Sequence, residues 1–106
     1  MNTKNESAAN TGDMYQKLPA MVTIDTVKGI LEMLKPAIDA SQEDMLLDAG
    51  EAETVTTPGI QLLLALEQAL ESKNRRLRLV NVQPALTAEF ELSGCSAQLE
   101  RMKHTV

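Results

Sequence analysis

Apolar residues fall into three helical stripes separated by short β-prone runs. Val27, Ile30, Leu31, Leu34 and Ile38 recur three or four apart, with Lys28, Glu32, Lys35 and Asp39 on the opposite side. That spacing predicts an amphipathic helix entered through Asp25 or Thr26. Pro36 within it should kink or shorten it. A second stripe, Ile60, Leu62, Leu63, Leu64, Leu66, Ala69 and Leu70, covers more than half of a helix and predicts deep burial. Pro58 suits its first position, and Thr57, held extended by the following proline, suits the N-cap. A third helix is expected from Pro84 to Leu92, with Leu86 and Phe90 inward and Gly94 as its stop.

The segments between have strand character. Tyr15 to Leu18, Met21 to Ile24, Met45 to Ala49 and Leu77 to Val82 are short, apolar or β-branched, and bounded by Pro, Gly or charged residues. Gly50 to Thr57 is polar and acidic and reads as a loop. Lys73 to Arg76 reads as a turn, and Ala97 to Met102 as a last helical turn or a short strand. The order β-β-α-β-α-β-α predicts a sheet carrying helices, with mostly parallel strands. The expected core is Val27, Ile30, Leu31, Leu34, Leu63, Leu66, Leu70, Leu86 and Phe90. Residues 1–14 are almost devoid of apolar side chains and read as a disordered tail. One domain is expected over 15–102, followed by a frayed end over 103–106.

Composition narrows the function classes. The 106-residue length suits one domain that folds without a staple. Fifteen acidic against ten basic residues give a net charge of −5, which repels phosphate backbones. Tyr15 and Phe90 are the only aromatic residues, so there is no platform for stacking bases. Nucleic acid is therefore not expected as a partner. No run approaches the about 20 apolar residues of a membrane span, the start is not a signal peptide, and the single Cys95 fits a reducing cytoplasm. Direct membrane insertion is not expected.

No catalytic or metal constellation stands out. His104 reads as a solvated residue near the end, and Cys95 as a small apolar filler. There is no phosphate loop and no zinc spacing. The expectation is a protein without catalysis, metal or cofactor. Glu51 and Glu53 form an acidic pair on the loop. Lys73, Arg75, Arg76 and Arg78 form a basic cluster past the second helix, where cations complement its dipole. The loop enters that helix at Thr56-Thr57-Pro58-Gly59-Ile60, and a helix N-terminus offers donors to an acidic group.

The Met45 strand, this loop, the glycine-plus-aliphatic helix, the Leu77 to Val82 strand and the following Pro84-Ala85-Leu86 resemble the STAS domain, the fold of bacterial anti-sigma-factor antagonists. The resemblance covers about Tyr15 to Met102. It implies an α/β, STAS-like four- or five-stranded mixed sheet with helices packed on it. It also implies a non-enzymatic cytoplasmic regulator acting by protein–protein binding in bacterial signal transduction. The implied partner is a kinase-type ATP-binding protein, either an anti-sigma factor or a chemotaxis histidine kinase. Family members carry an Asp-Ser-Ser-Gly-Leu-like element whose Ser before Gly is phosphorylated. Pro58 stands at that position here, with Thr57 and Thr56 at the two preceding ones. Thr57 and Thr56 are thus the candidate phosphoacceptors. The candidate contact residues are Glu51, Glu53, Thr54, Thr56, Thr57, Gly59 and Gln61. One alternative is a STAS subunit of a membrane lipid-transport ATPase. A further alternative is a small ligand-binding domain or enzyme.

Overall fold

The structure, a computed structural model, describes residues 14–40 and 42–104. The elements are β1 (Met14–Lys17), β2 (Met21–Val22), α1 (Val27–Ala40), β3 (Met45–Asp48), β4 (Thr54–Val55), α2 (Thr57–Glu71), β5 (Leu77–Val80), α3 (Pro84–Leu92) and α4 (Ser96–Met102). The α/β class with helices on a sheet is as the sequence predicts. The five strands divide into a three-stranded sheet, β1-β3-β5, and a two-stranded ribbon, β2-β4. Every described strand pair is parallel, with Tyr15, Leu46 and Arg78 in one row of the register. β3 and β5 are neighbours joined through α2, the crossover that parallel strands require.

Side chains alternate across a strand. Met45, Leu47, Leu77 and Leu79 point to the helical side and join one core with Leu34, Leu63, Leu66, Leu70, Leu86 and Phe90. Tyr15, Leu46, Asp48 and Arg78 share the other face, which is largely polar. The helices pack in succession, α1 on α2, α2 on α3 and α3 on α4. Two expected core residues depart from the pattern. Leu31 is 42% exposed and Val27 is only half-buried, because both lie at the flank of the stripe that Ile30, Leu34 and Ile38 centre.

Other local differences have plain causes. Pro36 leaves α1 unbroken to Ala40. Pro36 is exposed, so water can satisfy the carbonyl that loses its N–H partner. The start of α1 is held by two threonines: the Thr23 N–H donates to Thr26 Oγ1 at 3.0 Å and the Asp25 N–H to Thr23 Oγ1 at 3.3 Å. The Thr54–Val55 strand sits inside the stretch read as loop, too short to leave a periodicity. Ala97 to Met102 lies within a helix whose Leu99 and Met102 are buried. The end read as frayed is tied down as far as His104, whose N–H donates to the Leu79 carbonyl at 2.8 Å. The stretch read as a disordered tail lies outside the described residues except for Met14, which pairs with Met45.

Candidate functional site

The N-terminus of α2 is positioned by a close backbone contact. A Cβ on Gly59 would lie 2.5 Å from the Val22 carbonyl oxygen and 2.8 Å from Val22 Cγ1. Only glycine lets the helix approach β2 this closely. The Thr56 N–H donates to that same Val22 carbonyl at 3.1 Å. Gly59, among the predicted contact residues, is buried framework that shapes this surface.

The cap is corrected by one residue. Thr56, extended at φ −123°, is the N-cap, and Thr57 is the first residue of the helix. Neither supplies a side-chain cap. The Thr56 carbonyl accepts from the Gly59 N–H at 2.8 Å and the Ile60 N–H at 3.2 Å. Thr57 is exposed, and its hydroxyl donates to Glu89 of α3 at 3.2 Å. The shift follows from Pro58, which fits either of the first two helical positions.

Around this terminus Glu51, Glu53, Thr54, Thr57 and Gln61 are exposed and Thr56 is half-buried. Ala52 and Val55 anchor the loop in the core, and the Glu53 and Thr54 N–H groups both donate to the Ala20 carbonyl. The loop is thus a fixed platform with outward side chains. Glu51 pairs with Lys17 at 3.0 Å; both are over half exposed, so the pair contributes little to stability.

Beneath the loop lies a network that sequence reasoning missed. The Tyr15 hydroxyl donates to the Asp48 carboxylate. The other Asp48 oxygen accepts from the Gly50 N–H at 2.8 Å and from Asn81 Nδ2 at 3.1 Å. Burial pushes the Asp48 carboxyl up, but these three donors and Lys17 outweigh it and hold it below the ordinary aspartate value. The bond to Asp48 is the main reason the Tyr15 phenol is pushed up to about 12. Asn81 sits at φ 55°, a conformation Asn tolerates better than most residues. An Asn immediately after a strand was the available signal.

The basic cluster is split between buried and exposed members. Arg75, 2% exposed, donates from Nε to the Glu43 carbonyl and from Nη1 to the Ile38 carbonyl, each at 2.6 Å, and reaches Ala37 from Nη2 at 3.5 Å. It caps the C-terminal carbonyls of α1, the neighbour of the helix it follows. Arg78 grips Asp44 at 3.0 Å. Lys73 and Arg76 remain exposed. At the far side Arg101 of α4 holds the buried Glu67 of α2 with two bonds of 2.9 and 2.7 Å. Among the described residues no group of three His, Cys, Asp or Glu side chains could hold a metal, and no helix is long and apolar enough to cross a membrane.

The geometry amounts to a polar platform, anchored by its backbone, at one end of α2. A family model described as "Mlab, STAS domain" matches residues 17–101. Among solved structures, the chain is similar to the anti-sigma factor antagonist SpoIIAA in its unphosphorylated form, with a TM-score of 0.69 and 19% identity over 89% of this chain and 79% of that one. This likeness is one of fold. No curated protein matches.

Proposed function

This chain belongs to the STAS domain family, and from that premise we propose that it is a non-enzymatic regulatory protein whose activity is to bind a protein partner. The contact surface runs from Glu51 to Thr57 and over the first turn of α2 to Gln61. The observation that carries this reading is the platform itself: exposed Glu53, Thr54, Thr57 and Gln61 stand on a backbone locked to β2 and to the core. A preformed surface loses little side-chain and loop entropy on binding. The favoured partner is a kinase-type ATP-binding protein in bacterial signal transduction, an anti-sigma factor or a chemotaxis histidine kinase, and the site of action is the cytoplasm. The fold shared with SpoIIAA supports the first of these.

Thr57 is the better of the two phosphoacceptor candidates, because it is exposed while Thr56 is half-buried and caps the helix through its backbone. A phosphate on Thr57 would face the Glu89 carboxylate that now accepts its hydroxyl, and the repulsion would reshape the surface between α2 and α3. Pro58, which has no hydroxyl, favours a second reading: a stable, unswitched subunit of a membrane lipid-transport ATPase.

Affinity purification of the full chain, phosphosite mapping and calorimetry with the recovered partner test these readings. The Glu51→Lys, Glu53→Lys pair should slow association and change its salt dependence. Thr57→Glu should weaken binding while Thr57→Ala preserves it. Equal affinity for wild type, Thr57→Ala and Thr57→Glu removes the switch. Loss of binding only on reversing Lys73 and Arg76 moves the surface to the opposite end of α2.

A further inference from the structure

A second feature lies beside this platform. The turn from β1 to β2 and the helix α1 leave an open groove of about 440 Å³ between them. Buried Leu18 and Ile30 form its floor, and Pro19, Gly29 and Met33 line it. Lys17, Asp25 and Glu51 supply the charges around it.

The fold explains neither Gly29 nor Met33. Glycine inside a helix costs about 1 kcal/mol relative to alanine. Gly59 repays that cost through its contact with Val22, but a Cβ on Gly29 would meet no atom within 4 Å. Its φ is not in the left-handed region either. Nothing among the described residues requires glycine here. Met33 leaves 46% of its surface exposed in the same groove, and methionine adapts its shape to incoming apolar groups. An apolar trough kept open at a cost to its own helix suits a group that arrives from outside.

The charges say which kind of group. Two carboxylates, Asp25 and Glu51, stand against one cation, and Lys17 is already committed to Glu51 at 3.0 Å. Asp25 forms no ion pair with another described residue. The net charge of −5 also disfavours an anionic lipid surface. We infer that the groove between the β1–β2 turn and α1 is a docking site for an aliphatic or aromatic side chain of a protein partner, flanked there by Lys or Arg. The inference rests on the protein-binding role proposed above, and Glu51 joins the two surfaces.

The test pans a random peptide-display library on the full wild-type chain and characterises the recovered peptides. Recovered sequences should carry an apolar residue flanked by Lys or Arg. A synthetic peptide of that sequence should shift the amide resonances of Gly29, Ile30 and Met33. Gly29→Leu fills the groove and should weaken the peptide about tenfold or more, with the melting temperature unchanged or raised. Asp25→Lys should weaken the same peptide several-fold without unfolding the chain. Thr57→Glu should leave its affinity unchanged, so failure of the α2 surface and failure of the groove are read separately. Peptides that bind Gly29→Leu as well as wild type overturn the inference. So do recovered peptides that are predominantly acidic, and a failure to recover any peptide. Binding of dodecyl-chain micelles that Gly29→Leu abolishes, without peptide binding, would assign the groove to a lipid chain and overturn it as well.

Discussion

The two ends of α2 carry opposite charge clusters that look alike in the sequence and serve opposite purposes in the fold. At the C-terminal end, Arg75 is buried against the carbonyls of Ile38 and Glu43, and the half-buried Arg78 pairs with Asp44. At the N-terminal end, the acidic and threonine-rich loop is pinned by its backbone and by Ala52 and Val55, which leaves its side chains outside. A cluster becomes available to a partner when its backbone and apolar neighbours do the anchoring. It becomes structural when unsatisfied carbonyls lie within reach of its cations.

Removing Arg75 should break this contrast most strongly. Arg75→Ala orphans the carbonyls of Ala37, Ile38 and Glu43, and the expected loss is about 3–5 kcal/mol in denaturant unfolding. Lys73→Ala, an exposed change two residues beyond the helix end, should stay within about 0.5 kcal/mol. The same measurement thus separates the buried from the exposed member of one cluster.

The two helical glycines sharpen the comparison next. Gly59→Ala forces a methyl onto the Val22 carbonyl, and should cost about 1–3 kcal/mol and displace the first turn of α2. Gly29→Ala meets open space and should stabilise the chain by about 0.4–1 kcal/mol. Thermal unfolding of the two variants should therefore move in opposite directions.

A third expectation concerns proton linkage under the loop. Tyr15 is the only tyrosine and there is no tryptophan, so the phenolate absorbance of the native chain reports one group. Its midpoint should lie at about 12, and Asp48→Asn should bring it back towards 10. The native state holds this proton more tightly than the unfolded chain, so the contribution is complete below pH 10 and is lost as the pH rises to about 12. Asp48 has the opposite sign. Its lowered value stabilises the fold above the ordinary aspartate pKa, and that contribution fades as the pH falls through the lowered one.

A modest effect is expected at Thr57. With no side-chain cap to lose, Thr57→Ala removes only the exposed bond to Glu89. It should change stability by about 0.5–1 kcal/mol at most.

Much of this architecture was legible in the residues. The stripes at Ile30, Leu34 and Ile38 and at Leu63, Leu66 and Leu70 located α1 and α2, because a helix must bury one face wherever it packs. The runs at Met45 and Leu77 located β3 and β5, and the order of periods implied parallel crossovers. The Thr56–Gly59 element marked the start of α2 to within one residue. What tertiary structure alone decided are pairings between residues far apart in the chain. Arg75 sits about 37 positions beyond the carbonyls it caps, and Asp48 gathers Tyr15 from one side and Asn81 from the other. Whether a charged residue faces a partner or the protein's own unsatisfied backbone depends on which carbonyls and donors the fold brings beside it. Local spacing holds no record of that. Gly29 and Gly59 show the same division: each is a glycine in a predicted helix, and only the neighbour across the space, or its absence, sets its role.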